Sequence, residues 1–253
     1  MIKMKENKII VTYEDVISTY KIRKNGEKAL SAYMHWFPIK SSIKLAGIIA
    51  DLMGDGHLQD HPHWRLDYTS NSMEELERFN QEVYSLFGVQ GKIRDCTTNQ
   101  YGTMNLGINP KQLGRVLKLA GVPTGAKVLQ EFSIPKWILG DKMLFSRFIN
   151  RLASCEGCVD TQNKYIELKM HKEETILEGG FDFFNDIKYH LEKYFGIITT
   201  RPFTPTTPSI RKDGRKTFGV IIKIKRKDSL RRYKEFIGFE NKEKNNKLNK
   251  ILS

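Results

Sequence analysis

Residues 48–59 read IIADLMGDGHLQ, an apolar helical run that stops on a carboxylate, Asp55, set between Gly54 and Gly56. A carboxylate at a helix C-terminus faces the negative end of the macrodipole, which is the unfavourable end. A second one, Glu156, stands before Gly157 in SCEGCV (154–159), again where a helical run stops. Gly-Asp-Gly alone is an ordinary turn, so the matched pair is what requires an explanation. Two such carboxylates brought side by side repel, and they do not both stay ionised unaided. A divalent cation between them removes the conflict, and hard oxygen ligands with open water positions suit Mg²⁺. Metal-activated water can attack a phosphodiester while the metal stabilises the leaving oxygen.

The elements that must position these acids recur in order. Ser41 or Ser42 caps a helix that runs to about Met53, and WRLDYTS (64–70) alternates as a strand does. SMEELERFNQEVYSLFG (72–88) reads as a helix with Ser72 as cap, Glu75 as capping-box partner and Gly88 as stop. GKIRDC and TMNLGIN follow as strands, and PKQLGRVLKLAG (110–121) as a helix. The order then repeats: a helix over 142–155, a strand over 164–172, a long helix over 174–196 despite Gly179-Gly180, strands near 197–203 and 217–226, and a last helix from Asp228 or Ser229. Lys127 lies six residues after Gly121 and Lys244 six after Gly238, each following the helix that closes its copy. By this symmetry both lysines stand where developing charge would need them. The small residues Ala46, Ala50 and Gly54 line one face of the first helix at a four-residue spacing and let a partner helix approach closely. The predicted layout is a helical N-terminal extension (1–40) broken at Asn25-Gly26, a first repeat (41–125), a connector (126–141) and a second repeat (142–253).

Lys and Arg outnumber Asp and Glu by 42 to 29 in 253 residues, a formal charge of +13 that favours a polyanionic partner, nucleic acid first. The excess is concentrated between Arg201 and Arg232. Strand alternation puts Lys223 and Lys225 with Thr217 opposite Phe218, Val220, Ile222 and Ile224, and Glu167, Lys169 and His171 opposite Ile166, Leu168 and Met170. With Arg65, Asp67, Lys92, Arg94 and Asn105 in the first copy, and Arg201, Arg211, Lys212, Arg215 and Lys216 around loop 204–216, these are the expected DNA-facing positions. A β-ribbon can enter the major groove, and such side chains hold phosphates and read base edges. His57, His61 and His63 read as part of a DNA-facing loop rather than a zinc site. Cys155-Glu-Gly-Cys158 lacks the second ligand pair that zinc requires. The three cysteines suit a reducing compartment, cytoplasmic or organellar, and no run is apolar and long enough to span a bilayer.

LAGIIADLMGDG (45–56) resembles the signature helix of the LAGLIDADG homing endonucleases, and FINRLASCEG (148–157) resembles its second copy. The likeness extends over about residues 42–253, through IPKWI (134–138) and the IGFxxxxK tail (237–244). It implies an α+β fold of two pseudosymmetric αββαββα subdomains, each with a curved antiparallel sheet forming a DNA-binding saddle, paired through the two signature helices. It implies Mg²⁺ at Asp55 and Glu156, with Gly54 and Cys155 beside them at the metal. Mn²⁺ or Ca²⁺ would substitute there, Ca²⁺ without cleavage. Lys127 and Lys244 match the family's basic residues, and Ser70 or Asn71 and His171 or Lys172 match its water-positioning residues. The implied activity is that of a monomeric, site-specific endonuclease cutting both strands of a long double-stranded DNA target in a staggered way. Its gene would lie in an intron, since no flanking protein-splicing segment is evident. The alternative is a non-cleaving DNA-binding regulator, or an RNA maturase assisting intron splicing. One residue departs from the pattern: Arg151 stands where the first copy has Ala50. A buried Arg at a tight helix crossing is costly without a partner, so either the helices splay or Arg151 turns outward.

Overall fold

The computed structural model describes residues 8–96 and 102–253; the first seven residues of the expected extension lie outside that range. The chain divides into two compact units, Met1–Gly125 and Ala126–Ser253.

In the first unit the helix α3 (Ile43–Met53) starts at the Ser42 cap, whose hydroxyl accepts from the Leu45 N–H. Strands β3 (Gly56–Leu58) and β4 (Leu66–Ser70) precede helix α4 (Met73–Phe87). Strands β5 (Lys92–Asp95) and β6 (Met104–Ile108) precede helix α5 (Lys111–Ala120). The second unit runs the same course. Helix α7 (Lys142–Glu156), strands β7 (Gly157–Asp160) and β8 (Tyr165–Glu173) and helix α8 (Leu177–Phe195) come first. Strands β9 (Ser209–Ile210) and β10 (Lys216–Ile224) then lead to helices α9 (Lys227–Phe236) and α10 (Lys242–Leu252). The short helix α6 (Lys136–Leu139) lies in the connector.

Both sheets are antiparallel and built in one order, β3-β4-β6-β5 and β7-β8-β10-β9, and one of them is strongly curled. Their registers match: Gly56 faces Tyr68 and Tyr68 faces Leu106, while Gly157 faces Leu168 and Leu168 faces Ile222. Each long helix packs on its sheet by the 3.6-residue period, through Leu76, Phe79, Val83 and Phe87 in α4 and through Phe183, Phe184, Ile187, Leu191 and Phe195 in α8. Tyr68 stacks on Phe79 with ring centroids 4.5 Å apart. Each buried side chain of this size stabilises its unit by about 1.5–3 kcal/mol.

Three expectations are corrected. The Asn25-Gly26 pair lies inside helix α2 (Arg23–Leu30); the break falls instead between it and α1 (Tyr13–Ile17). Gly26 is accommodated because a Cβ there would lie 2.9 Å from the Tyr20 ring. The strand expected at 197–203 is only an isolated bridge, Phe203 to Ile221, with Thr200 and Lys223 bonded alongside. Pro202, Pro205 and Pro208 cannot donate to a ladder, so regular pairing waits until Ser209. Last, Thr217 keeps the strand parity of Lys223 but is buried, its hydroxyl donating to the Ser209 carbonyl of β9.

The extension packs onto the first unit. The Arg115 guanidinium of α5 donates to the Thr19 carbonyl and hydroxyl and lies over the rings of Tyr20 and Trp64. Trp36 donates to the Phe87 carbonyl at 2.7 Å. Strand β1 (Ile9–Val11) pairs with β2 (Ile39–Lys40) just ahead of α3. Among the described residues no helix is long and apolar enough to cross a membrane.

Candidate catalytic acids and nucleic-acid-facing strands

Each acid stands where its helix gives way to a strand, Asp55 two residues past the end of α3 and Glu156 as the last residue of α7. α3 is buried from Leu45 to Met53, and the chain then exposes Asp55 before re-entering as β3. Glu156, half-buried, is the last residue of α7, and β7 begins at once. The glycine after each acid is a steric requirement. A Cβ on Gly56 would lie 2.7 Å from the Leu52 Cα, and one on Gly157 2.3 Å from the Ala153 carbonyl oxygen. Only a residue without a side chain lets the strand fold back so tightly on the last helical turn.

The support around Glu156 comes from the segment that follows α9. The Lys244 ammonium donates to the carbonyls of Ala153 and Ser154 and reaches that of Cys155 at 3.5 Å. A cation on the last carbonyls of a helix offsets the negative end at which Glu156 sits. The Ser154 hydroxyl accepts from the Glu240 N–H, and Asn150 donates to the Ile237 carbonyl. Lys244 is therefore brought to the acid's helix end, with its ammonium directed at backbone oxygens.

Arg151 does not turn outward. It is 1% exposed, with its guanidinium 3.3 Å from the Glu240 carboxylate, which also meets Arg147 at 2.6 Å. The first unit buries a charge of the opposite sign: Asp51, fully enclosed on α3, meets Arg78 of α4 at 3.2 Å, and Arg78 meets Glu82 at 3.3 Å.

The water-positioning candidates fall into three environments. Ser70 is taken up by the start of α4, accepting from the Ser72 N–H and donating to Glu75, so the expected Ser72–Glu75 capping box runs through Ser70. Asn71 and His171 are exposed; desolvation and the nearby Lys169 lower the His171 pKa. Lys172, expected beside a water, instead points into the core. It is 2% exposed and donates to the carbonyls of Lys127 (2.9 Å) and Gln130 (2.7 Å). The alternation Ile166, Leu168, Met170 carried the signal, since it puts residue 172 on the inner face. Lys127 begins a 3₁₀ turn, Lys127–Leu129, and is half-buried.

The outer sheet faces carry the expected polar side chains. Arg65 is exposed and paired with Asp67 at 2.7 Å, and Asn105 donates to Thr69. Lys92 and Arg94 are exposed on β5. On the second sheet Lys223 meets Glu167 at 2.9 Å and lies over the Tyr165 ring, with Lys169 half-buried on the same face. Asp67 and Glu167 hold equivalent register positions, so each sheet carries one carboxylate that orients one cation. Beyond the core, Arg201, Lys212, Arg215, Lys216 and Lys225 are exposed and Arg211 is half-buried. The Arg215 N–H, with the Arg211 and Arg215 guanidinium groups, holds Asp213 below the usual carboxylate range at the hairpin tip. Among the described residues no three His, Cys, Asp or Glu side chains form a metal cage. An implied Mg²⁺ would rest on a sparser donor set, hard carboxylates completed by water, which Mg²⁺ accepts.

No family model matches the chain. A curated protein, the replication factor C small subunit of Methanocaldococcus jannaschii, is 28% identical over 176 residues; the match covers 63% of this chain and 10% of that protein. This chain thus spans about a tenth of that relative's length, and nothing of the relative's activity is carried over. The structure of the homing endonuclease I-WcaI bound to its DNA recognition sequence superposes with a TM-score of 0.52 at 13% identity, covering 94% of this chain and 98% of that one. Full-length DUF199/WhiA from Thermatoga maritima gives a TM-score of 0.49 at 13% identity, over 81% of this chain and 59% of that one. The fold is the α+β fold of the LAGLIDADG homing endonucleases.

Proposed function

We propose that the protein binds double-stranded DNA and is a Mg²⁺-dependent endonuclease that cuts both strands of a long, specific target as a monomer. The observation that carries the reading is the pair of acid-glycine helix ends, Asp55-Gly56 and Glu156-Gly157, at the same point of two repeats with identical sheet order. A protein that only bound DNA would gain nothing from two carboxylates at unfavourable helix ends. The cationic outer strands supply the sequence-independent hold on phosphates, and the paired Arg65–Asp67 and Lys223–Glu167 side chains present oriented donors to base edges.

Asp55 and Glu156 would hold the metal. Bound there, Mg²⁺ would supply Lewis-acid stabilisation of the scissile phosphate. Lys127 would stabilise developing charge. Lys244 would act on the helix end itself, offsetting the α7 carbonyls so that Glu156 keeps one orientation.

The test begins with selection of bound duplexes from a randomised double-stranded DNA pool, followed by incubation of the selected duplexes with and without Mg²⁺. Cleavage of both strands only with Mg²⁺ is expected. Asp55→Asn should bind the selected duplex as the parent does and cut it at least about a thousandfold more slowly. Cutting by Asp55→Asn at the parental rate, or bound duplexes that Mg²⁺ never converts, would overturn the nuclease reading; the latter outcome would make the protein a DNA-binding regulator.

A further inference from the structure

We propose that Lys172 is a positioning residue: from inside the second unit it clamps segment 127–132 through two backbone carbonyls and so fixes where Lys127 is presented. The role for Lys127 rests on the nuclease reading; the clamp itself does not.

Lys172 occupies an inner-face position on β8 that Ile166, Leu168 and Met170 would lead one to fill with another apolar side chain. Burying an ammonium costs several kcal/mol unless it is hydrogen-bonded, so its presence requires a specific partner. The partners are the carbonyls of Lys127 and Gln130, at the two ends of the 3₁₀ turn. The ammonium also lies 3.7 Å from the centre of the Phe132 ring, which in turn meets Phe183 of α8 edge-on. Three successive anchor points thus tie the segment to the core.

The glycine pair that looked out of place in a long helix fits the same device. A Cβ on Gly180 would lie 2.9 Å from the Lys172 Cγ, and one on Gly179 2.7 Å from the Glu131 Cγ. Gly180 leaves room for the lysine stem, and Gly179 lets the segment lie against α8. The pair lies in the first turn of α8, where the close approach of the lysine stem and of Glu131 leaves no room for a Cβ. The base of the clamp is rigid: Lys172 pairs with Phe218 within an eight-residue run of β8–β10 partners. The charges that face its ammonium are Lys127, which repels it, and Glu131, which attracts it.

The test is Lys172→Met, which keeps the apolar stem and removes the donors. Amide hydrogen exchange should rise about tenfold or more at residues 127–132 and stay unchanged at 165–170. On a selected duplex, affinity should remain within about threefold while single-turnover cleavage falls about tenfold, a split that a general loss of structure would not produce. Unchanged exchange at 127–132 would overturn the clamp, and so would a parallel rise across the whole unit. Should Lys172→Met fail to fold, Gly180→Ala, which crowds the lysine stem, decides by the same exchange readout. Lys127→Ala separates the two readings: full cleavage by that variant removes the catalytic role of Lys127 and leaves the exchange result to judge the clamp.

Discussion

The ends of α3 and α7 both pass through an acid and a glycine into a strand and are supported by different side chains. In the first unit α3 buries Asp51, answered by Arg78 from the helix that follows the first hairpin. In the second unit α7 buries Arg151, answered by Glu240 from the turn that follows α9. Strand order, register and the steric need for glycine are common to both; the sign and origin of the buried charge are not. Repetition of the fold therefore constrained the backbone and the acids, while the polar support of each signature helix was free to diverge.

Breaking the two pairs should expose that difference. The cations left behind differ: the Arg78 side chain keeps 17% of its surface and Arg151 keeps 1%. Glu240→Gln should cost about 3–5 kcal/mol, because the enclosed Arg151 guanidinium loses the carboxylate that faces it. Asp51→Asn should cost about 1–3 kcal/mol, since Arg78 is reached by water and keeps Glu82 at 3.3 Å. Urea unfolding of each variant measures both. Equal losses would mean that the two supports are energetically alike despite their geometry.

The comparison also shows what could be read in advance. The repeated element order, both acids with their glycines, and the outward basic strands follow from periodicity and local spacing, which the sequence displays directly. The position of Lys172 was equally legible from parity, yet the family resemblance matched it to a water-positioning residue ahead of the long helix. The partners of Arg151 and Lys244 were not legible. Glu240 lies 89 residues from Arg151 in the chain, and nothing local announces which distant carboxylate will meet a buried cation. The strand expected at 197–203 failed for a local reason, the prolines that remove ladder donors.

Lys172 gives the second unit a pH response that the first has no counterpart for at the equivalent position, Ser72. Desolvation, with repulsion from Lys127, lowers its pKa from 10.5 to about 8 despite Glu131. Between those values the unfolded chain binds the proton and the folded one does not, so this group makes the fold more stable as pH rises from about 8 to 10.5. Below 8 both states are protonated and the penalty is constant. The neutral amine keeps two N–H groups for its two carbonyls, so the clamp survives the change. The parent should gain about 1–2 kcal/mol of stability relative to Lys172→Met across that window, after allowance for solvent screening. A difference that stays flat with pH would show that the ammonium is better solvated than its burial implies.

The smallest effect is expected at Lys244, where the support of α7 is an exchange of one cation for several helix-end carbonyls. Lys244→Met removes that interaction and should cost about 1 kcal/mol, the usual worth of a cation at a helix C-terminus. Its consequence should be local. Hydrogen exchange should rise in α10 and around residues 153–157, because the lysine is the tie between them, while α3 and β3 of the first unit stay as they were. Loosening the carbonyls that precede Glu156 should slow cleavage more than the stability loss alone would, since the carboxylate must be aimed as well as present. Exchange unchanged at 153–157 would show that Gly157 and the start of β7 suffice to hold the acid, and the two helix ends would then be supported more alike than their side chains suggest.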